Sequence, residues 1–211
     1  MTLPGLLKTI VGNPTVHAKW LNTLSYLEHI GSRKIIKSQD STTLDERLLS
    51  HIAEEARHAH FFKRLSLKLK PDYCISYAPD YLLAGEAATT YLQELDHQIA
   101  ASLNTEFKET VSPRLTYFYV SHTIETRALT LFTTYKETLD EVAINLPIQT
   151  VIHDEHGHLS DMLSGIRSLD PHYAIRLRRF DELEARLFAS WQNALAELVS
   201  GNHETVFAAA I

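Results

Sequence analysis

A single cysteine, Cys74, stands in this chain of 211 residues. One thiol excludes an internal disulfide and any cysteine-rich metal site, and it suits a reducing compartment, so a cytoplasmic location is the expectation. Glycine and proline are also scarce, seven of each, and they do not gather into a low-complexity segment or a linker that would split domains. No run approaches the roughly 18 apolar residues of a membrane span, and the amino-terminal stretch lacks the basic leader and apolar core of a signal peptide. Lys and Arg form no cluster, and the formal net charge is −6 with both signs interspersed. Neither a nucleic acid nor a membrane is therefore an expected partner. Strand signals are few. What the chain has in quantity is histidine, twelve residues of it.

Helical periodicity runs almost throughout. Asn13-Pro14 predicts the start of a first helix, which runs to about Lys37. A second follows the polar turn Ser38 to Thr43 and runs to about Lys68. The stretch Pro71 to Pro79 breaks the pattern. A third helix is expected over Asp80 to Leu103, then a loop from Asn104 to Ser112. Ser112-Pro113 opens a fourth that runs to about Leu139, Pro147 opens a fifth, and Asp170-Pro171 caps a sixth that ends near Ser200. The expectation is an all-α chain of about six helices in a single helical domain, 1–211, with a core bundle over about 13–167 and a C-terminal helix over about 171–200.

Four of these helices carry a glutamate near the middle of an apolar stripe: Glu28, Glu55, Glu125 and Glu155. Glu55 and Glu155 are each followed three residues later by a histidine, His58 and His158, on the same helical face. Glu28 precedes Glu55 by 27 positions and Glu125 precedes Glu155 by 30, so the chain reads as two similar halves. Burying an unpaired carboxylate costs several kcal/mol, roughly, and a metal ion is the partner that suits carboxylate and imidazole together. Two antiparallel helix pairs would bring four carboxylates and two imidazoles to one point, the ligand set of a carboxylate-bridged dinuclear site. A third Glu-x-x-His run, Glu94 to His97, points away from its helix's apolar stripe and reads as a solvated face. His122, one turn before Glu125, reads first as a hydrogen-bonded core histidine. His51, one turn before Glu55, is a candidate to support the ligands. Leu24, Phe62, Phe118, Phe132 and Met162 are core residues that would also wall a dry pocket beside a metal. Gly31 leaves room there for a substrate or for close helix packing.

This motif order, over about Asn13 to Arg167, resembles the ferritin-like superfamily of di-iron carboxylate proteins. That group includes bacterioferritins, rubrerythrins, ribonucleotide reductase small subunits, aldehyde-deformylating oxygenases and tRNA hydroxylases. The resemblance implies a ferritin-like four-helix bundle with additional helices and two iron ions, with a manganese–iron pair as the alternative. It implies Glu55 and Glu155 as bridging ligands, Glu28 with His58 on one ion, and Glu125 with His158 on the other. It further implies that Asp154 orients His58 and Glu54 orients His158. The implied activity is O2-dependent oxidation of an apolar small molecule by a hydroxylase, oxygenase or oxidase, supplied by an external electron donor, with a homodimer possible. A ferroxidase or iron-handling role, a rubrerythrin-type peroxide scavenger and a non-catalytic helical interaction domain are the alternatives. The chain departs from storage proteins by the inserted helix, which puts 70 positions between Glu55 and Glu125. That spacing is nearer the oxygenase-type members. Phe62 stands where a radical-bearing tyrosine would be, and a rubredoxin-type tail would need more cysteines than Cys74.

Overall fold

The computed structural model describes residues 1–42, 44–107 and 111–208, with side chains described as far as Gly201. Thr43 of the expected polar turn and residues 108–110 of the expected loop lie outside the described residues. Among the described residues there are no strands. The elements are α1 (Leu3–Val11), α2 (Pro14–Ser38), α3 (Glu46–Leu69), a 3-10 turn (Pro79–Tyr81), α4 (Gly85–Glu106), α5 (Pro113–Glu141), α6 (Gln149–Leu169) and α7 (Tyr173–Ala208).

The expected six helices are thus seven among the described residues. The addition, α1, is too short to be stable alone and owes its place to Leu6, Leu7, Ile10 and Val11, all buried. Boundaries shift where tertiary contacts override local signals. The third expected helix begins at Gly85 instead of Asp80, because residues 76–83 are held against α2. Asn22 Nδ2 donates to the carbonyls of Ser76 and Tyr81, each at 2.9 Å, and the Leu83 amide donates to Thr23 Oγ1 at 2.8 Å. Ala84 then turns the chain in a left-handed conformation, φ 51°. The helix expected from Pro147 starts at Gln149, after a fully buried Ile148. The last helix runs past Ser200 to Ala208, and Gly201 does not end it.

Helices α2 and α3 pack antiparallel, bound by three side chains that cross from one helix to the other's carbonyls: Ser66 Oγ to Ala18, Ser25 Oγ to Ala59 and Ser32 Oγ to Ile52. Helices α5 and α6 form the second pair. Gly165 on α6 permits their close approach, since a Cβ there would lie 2.4 Å from the Phe118 ring. At the end of that pair Asp170, 1% exposed, accepts from Tyr119 Oη and from Arg176 at 2.6 Å. On the other side Arg127 of α5 clamps Glu184 of α7 through two bonds of 2.8 and 2.7 Å, and Tyr91 of α4 donates to the same carboxylate. No helix among the described residues is long and apolar enough to cross a membrane.

The start of α2 sets the register of Glu28. Asn13 Oδ1 accepts from the amides of Thr15 and Val16 at 3.0 and 3.2 Å, satisfying donors that the helix itself leaves open. Asn13→Ala is expected to lower stability by about 0.5–2 kcal/mol, each kcal/mol being roughly 2–4 °C in a chain of this size. Thermal unfolding followed by circular dichroism checks this, and an unchanged midpoint would mean that packing alone fixes the helix start.

Candidate metal centre

Each of the four paired helices delivers part of one buried cluster. Helix α2 supplies Glu28, α3 supplies His51, Glu55 and His58, α5 supplies Glu125, and α6 supplies Glu155 and His158. All seven are at most 9% exposed. On α3 the spacing 51, 55, 58 places three donors on one face within two turns. Glu94 and His97, by contrast, are exposed on α4.

Glu155 lies between the two motif imidazoles, with Oε1 3.4 Å from His58 Nδ1 and Oε2 3.7 Å from His158 Nδ1. Glu55 Oε1 is 3.7 Å from His158 Nδ1 and 3.2 Å from His51 Nε2. Glu125 Oε1 reaches His51 Nε2 at 3.0 Å. Two groups of donors emerge, Glu28, Glu55, His58 and Glu155 in one, and His51, Glu55, Glu125 and His158 in the other. Within each group one atom from every residue falls within 4.8 Å of the rest, so each could hold a metal ion.

The far nitrogens of both motif imidazoles are tied to acids on the opposite helix. His58 Nε2 bonds Asp154 Oδ2 at 3.1 Å, and His158 Nε2 bonds Glu54 Oε2 at 2.7 Å. A carboxylate acceptor fixes the proton on Nε2, so each neutral imidazole turns the lone pair of Nδ1 inward. Both Nδ1 atoms, and Glu125 Oε2, are buried without a hydrogen-bond partner. Orphaned buried acceptors facing carboxylates are what a cation would satisfy.

Without an ion, protons must balance the charge. Burial, followed by the charges of Glu55 and Glu155, holds the Glu28 carboxyl well above its ordinary range. Burial also pushes Glu125 up to about 7, against the pull of His51. Although burial opposes its charge, His51 between Glu125 and Glu55 is raised to about 12. Burial likewise opposes charge on His58 and His158, yet Glu155 raises both. Glu55 would be raised by burial, but His51 draws it below the usual range.

A cavity of about 620 Å³ opens onto the cluster. Leu24, Leu27, Val120, Ile124 and Phe132 form apolar walls, while Glu28, Glu55, Glu125, Glu155 and His51 line its polar end. Of the expected pocket residues, Leu24, Gly31 and Phe132 are here and the others are elsewhere. Phe62 is fully buried behind Phe132, ring centroids 5.4 Å apart. Phe118 and Met162 line a second, outer depression of about 760 Å³ between α3, α5 and α6. Gly31 makes room for a ligand-type side chain, since a Cβ there would stand 3.0 Å from Glu55 Oε2. His122 belongs to neither donor group, and its Nδ1 has no hydrogen-bond partner, contrary to the expected bonded core histidine.

Sequence reasoning gave His51 and Tyr117 too little weight. The signal was present for His51, at i−4 from Glu55 on the same face. Tyr117 gave none, because its part depends on α5 crossing α3 at His51, where Tyr117 Oη and His51 Nδ1 lie 2.6 Å apart. In comparisons with known proteins the chain matches no family model, no curated protein and no solved structure.

Proposed function

We propose that this chain is a ferritin-like di-iron oxidoreductase that uses O2 to oxidise a small apolar molecule held in the inner cavity. The observation that carries the reading is the pair of orphaned Nδ1 atoms aimed at four buried carboxylates, with their Nε2 atoms fixed by Asp154 and Glu54. The donor set is all oxygen and imidazole, which suits iron, with a manganese–iron pair as the alternative. Glu28 and His58 would hold one ion, Glu125 and His158 the other, and Glu55 and Glu155 would span both. When bound, the ions supply the oxygen-activating and electron-transfer chemistry that side chains lack.

The chain's own residues position and protect. Asp154 and Glu54 keep protons on the outer imidazole nitrogens. Gly31 leaves Glu55 free to occupy its place. Leu24, Val120 and Phe132 exclude water and receive an apolar substrate body. A walled apolar cavity against the cluster favours an enzyme acting on an organic substrate over an iron store, which needs no such chamber. An external donor would supply electrons.

The test is metal content after anaerobic reconstitution with ferrous iron, in wild type and in Glu155→Ala, followed by absorption spectra on adding O2. The expected result is about two ions per chain, lost in the variant, with a transient oxygen-dependent band in wild type. Near-zero metal in a folded wild type would overturn the reading, and tens of ions per chain would replace it with iron storage.

A further inference from the structure

We propose that His51 is a third imidazole ligand, on the Glu125–His158 side of the pair, so that the centre has seven protein ligands divided unequally between its two ions. The inference rests on the dinuclear reading above and goes beyond its six-residue set.

His51 is 4% exposed, and its Nε2 points at Glu55 and Glu125 from 3.2 and 3.0 Å. Its ring centroid lies 4.1 Å from that of His158. One N–H cannot fully serve two carboxylate oxygens, and Glu125 Oε2 nearby has no donor at all. In the metal-free cluster these carboxylates are therefore only partly satisfied. An ion among His51 Nε2, Glu55, Glu125 and His158 Nδ1 would answer every one of these groups.

The other side of the ring permits it. Tyr117 Oη stands 2.6 Å from His51 Nδ1. A phenol both donates and accepts, so it can take the Nδ1 proton's hydrogen bond and leave Nε2 with a free lone pair. His58 and His158, in contrast, are backed by carboxylates, which raise ligand basicity. His51 is thus the one imidazole of the three whose far nitrogen is backed by a phenol and not by a carboxylate.

The second half of the chain has no equivalent. The position one turn before Glu155 is Val151. The two ions are therefore inequivalent, and the His51 side is the more crowded. Both the inner cavity and the outer depression reach His51 and Tyr117, which places this pair in the wall between the two spaces.

The probe is cobalt(II), stable in air, loaded into the full chain and followed by proton NMR. An imidazole bound to paramagnetic cobalt shows one strongly shifted N–H signal that vanishes in deuterated water. Three such signals are expected in wild type, and two in His51→Gln at the same cobalt content. Tyr117→Phe should keep three and move one of them. Two signals in wild type with both ions bound would overturn the role of His51 and leave the dinuclear reading intact. No cobalt uptake would overturn both. The wild-type count stands even if the His51 variant fails to fold.

Discussion

Loading the metal-free protein with two equivalents of ferrous iron under nitrogen is expected to raise its unfolding midpoint, and the rise should grow between pH 6 and pH 8. A ligand at about a hundred times its dissociation constant adds about 2.7 kcal/mol. Two ions then add about 5 kcal/mol, or roughly 10–20 °C for a chain of this length. The pH trend follows from the groups that must lose protons. His58, His158 and His51 have folded pKa values above the ordinary 6.5, about 9 for His158 and about 12 for His51. Their stabilisation of the metal-free fold is complete below 6.5 and is lost as pH climbs toward the folded values. Glu28 and Glu125 are raised from 4.5 as well, Glu125 to about 7. The fold holds their protons more tightly than the unfolded chain does, so stability again falls with rising pH. Glu55 is lowered and contributes fully above its ordinary range, so it adds no slope in this window. The metal-free protein therefore weakens from pH 6 to pH 8, while ion binding, which needs these groups deprotonated, strengthens. Scanning calorimetry at both pH values with and without iron measures the gap. A gap near zero, or one that narrows with pH, would sink the buried metal centre.

The glutamates were legible in the sequence because a carboxylate inside an apolar helical stripe contradicts its surroundings, and four helices repeat that contradiction at matched spacing. The structure brings Glu28, Glu55, Glu125 and Glu155 together, and it places Asp154 and Glu54 on the outer nitrogens of His58 and His158. What periodicity could not give was depth. A stripe says that Phe62, Phe118 and Met162 are buried, but not on which side of the carboxylate layer they lie. Only the packing of α3 against α5 and α6 decides that. Gly31 was read as space for a substrate or for helix packing, and the space is taken by the Glu55 carboxylate. Element ends were missed for a similar reason. Ala84 and Ile148 carry no turn signature, and each stands immediately before a helix because Thr23 captures Leu83 and because the Ile148 side chain is needed in the core. Helix α1 escaped because nine residues with Gly5 inside give too short a periodic signal.

Removing both crossing carboxylates should produce the largest change in metal affinity short of deleting a ligand. Glu54 on α3 holds His158 of α6, and Asp154 on α6 holds His58 of α3. Each pair fixes the imidazole of a different donor group. Loss of such a partner lowers metal affinity by about 10–100-fold, so Glu54→Ala with Asp154→Ala should weaken two-ion binding by roughly 10²–10⁴ if the two effects multiply. They share one neighbour, since Arg57 Nη2 lies 3.1 Å from Asp154 and 3.9 Å from Glu54, and the product is therefore an upper figure. Both acids are partly exposed, and an exposed pair with Arg57 contributes little to stability. The metal-free double variant, however, leaves the buried Nε2–H groups of His58 and His158 without their acceptors, and should unfold below wild type by about 1–3 kcal/mol for each. Glu54→Gln and Asp154→Asn keep an acceptor oxygen but lose the charge, and should fall between wild type and alanine. Competition against a chelator of known affinity reads all of these. Wild-type affinity in the folded alanine pair would mean that the inward Nδ1 atoms of His58 and His158 do not bind the ions, and the donor set would reduce to carboxylates with His51.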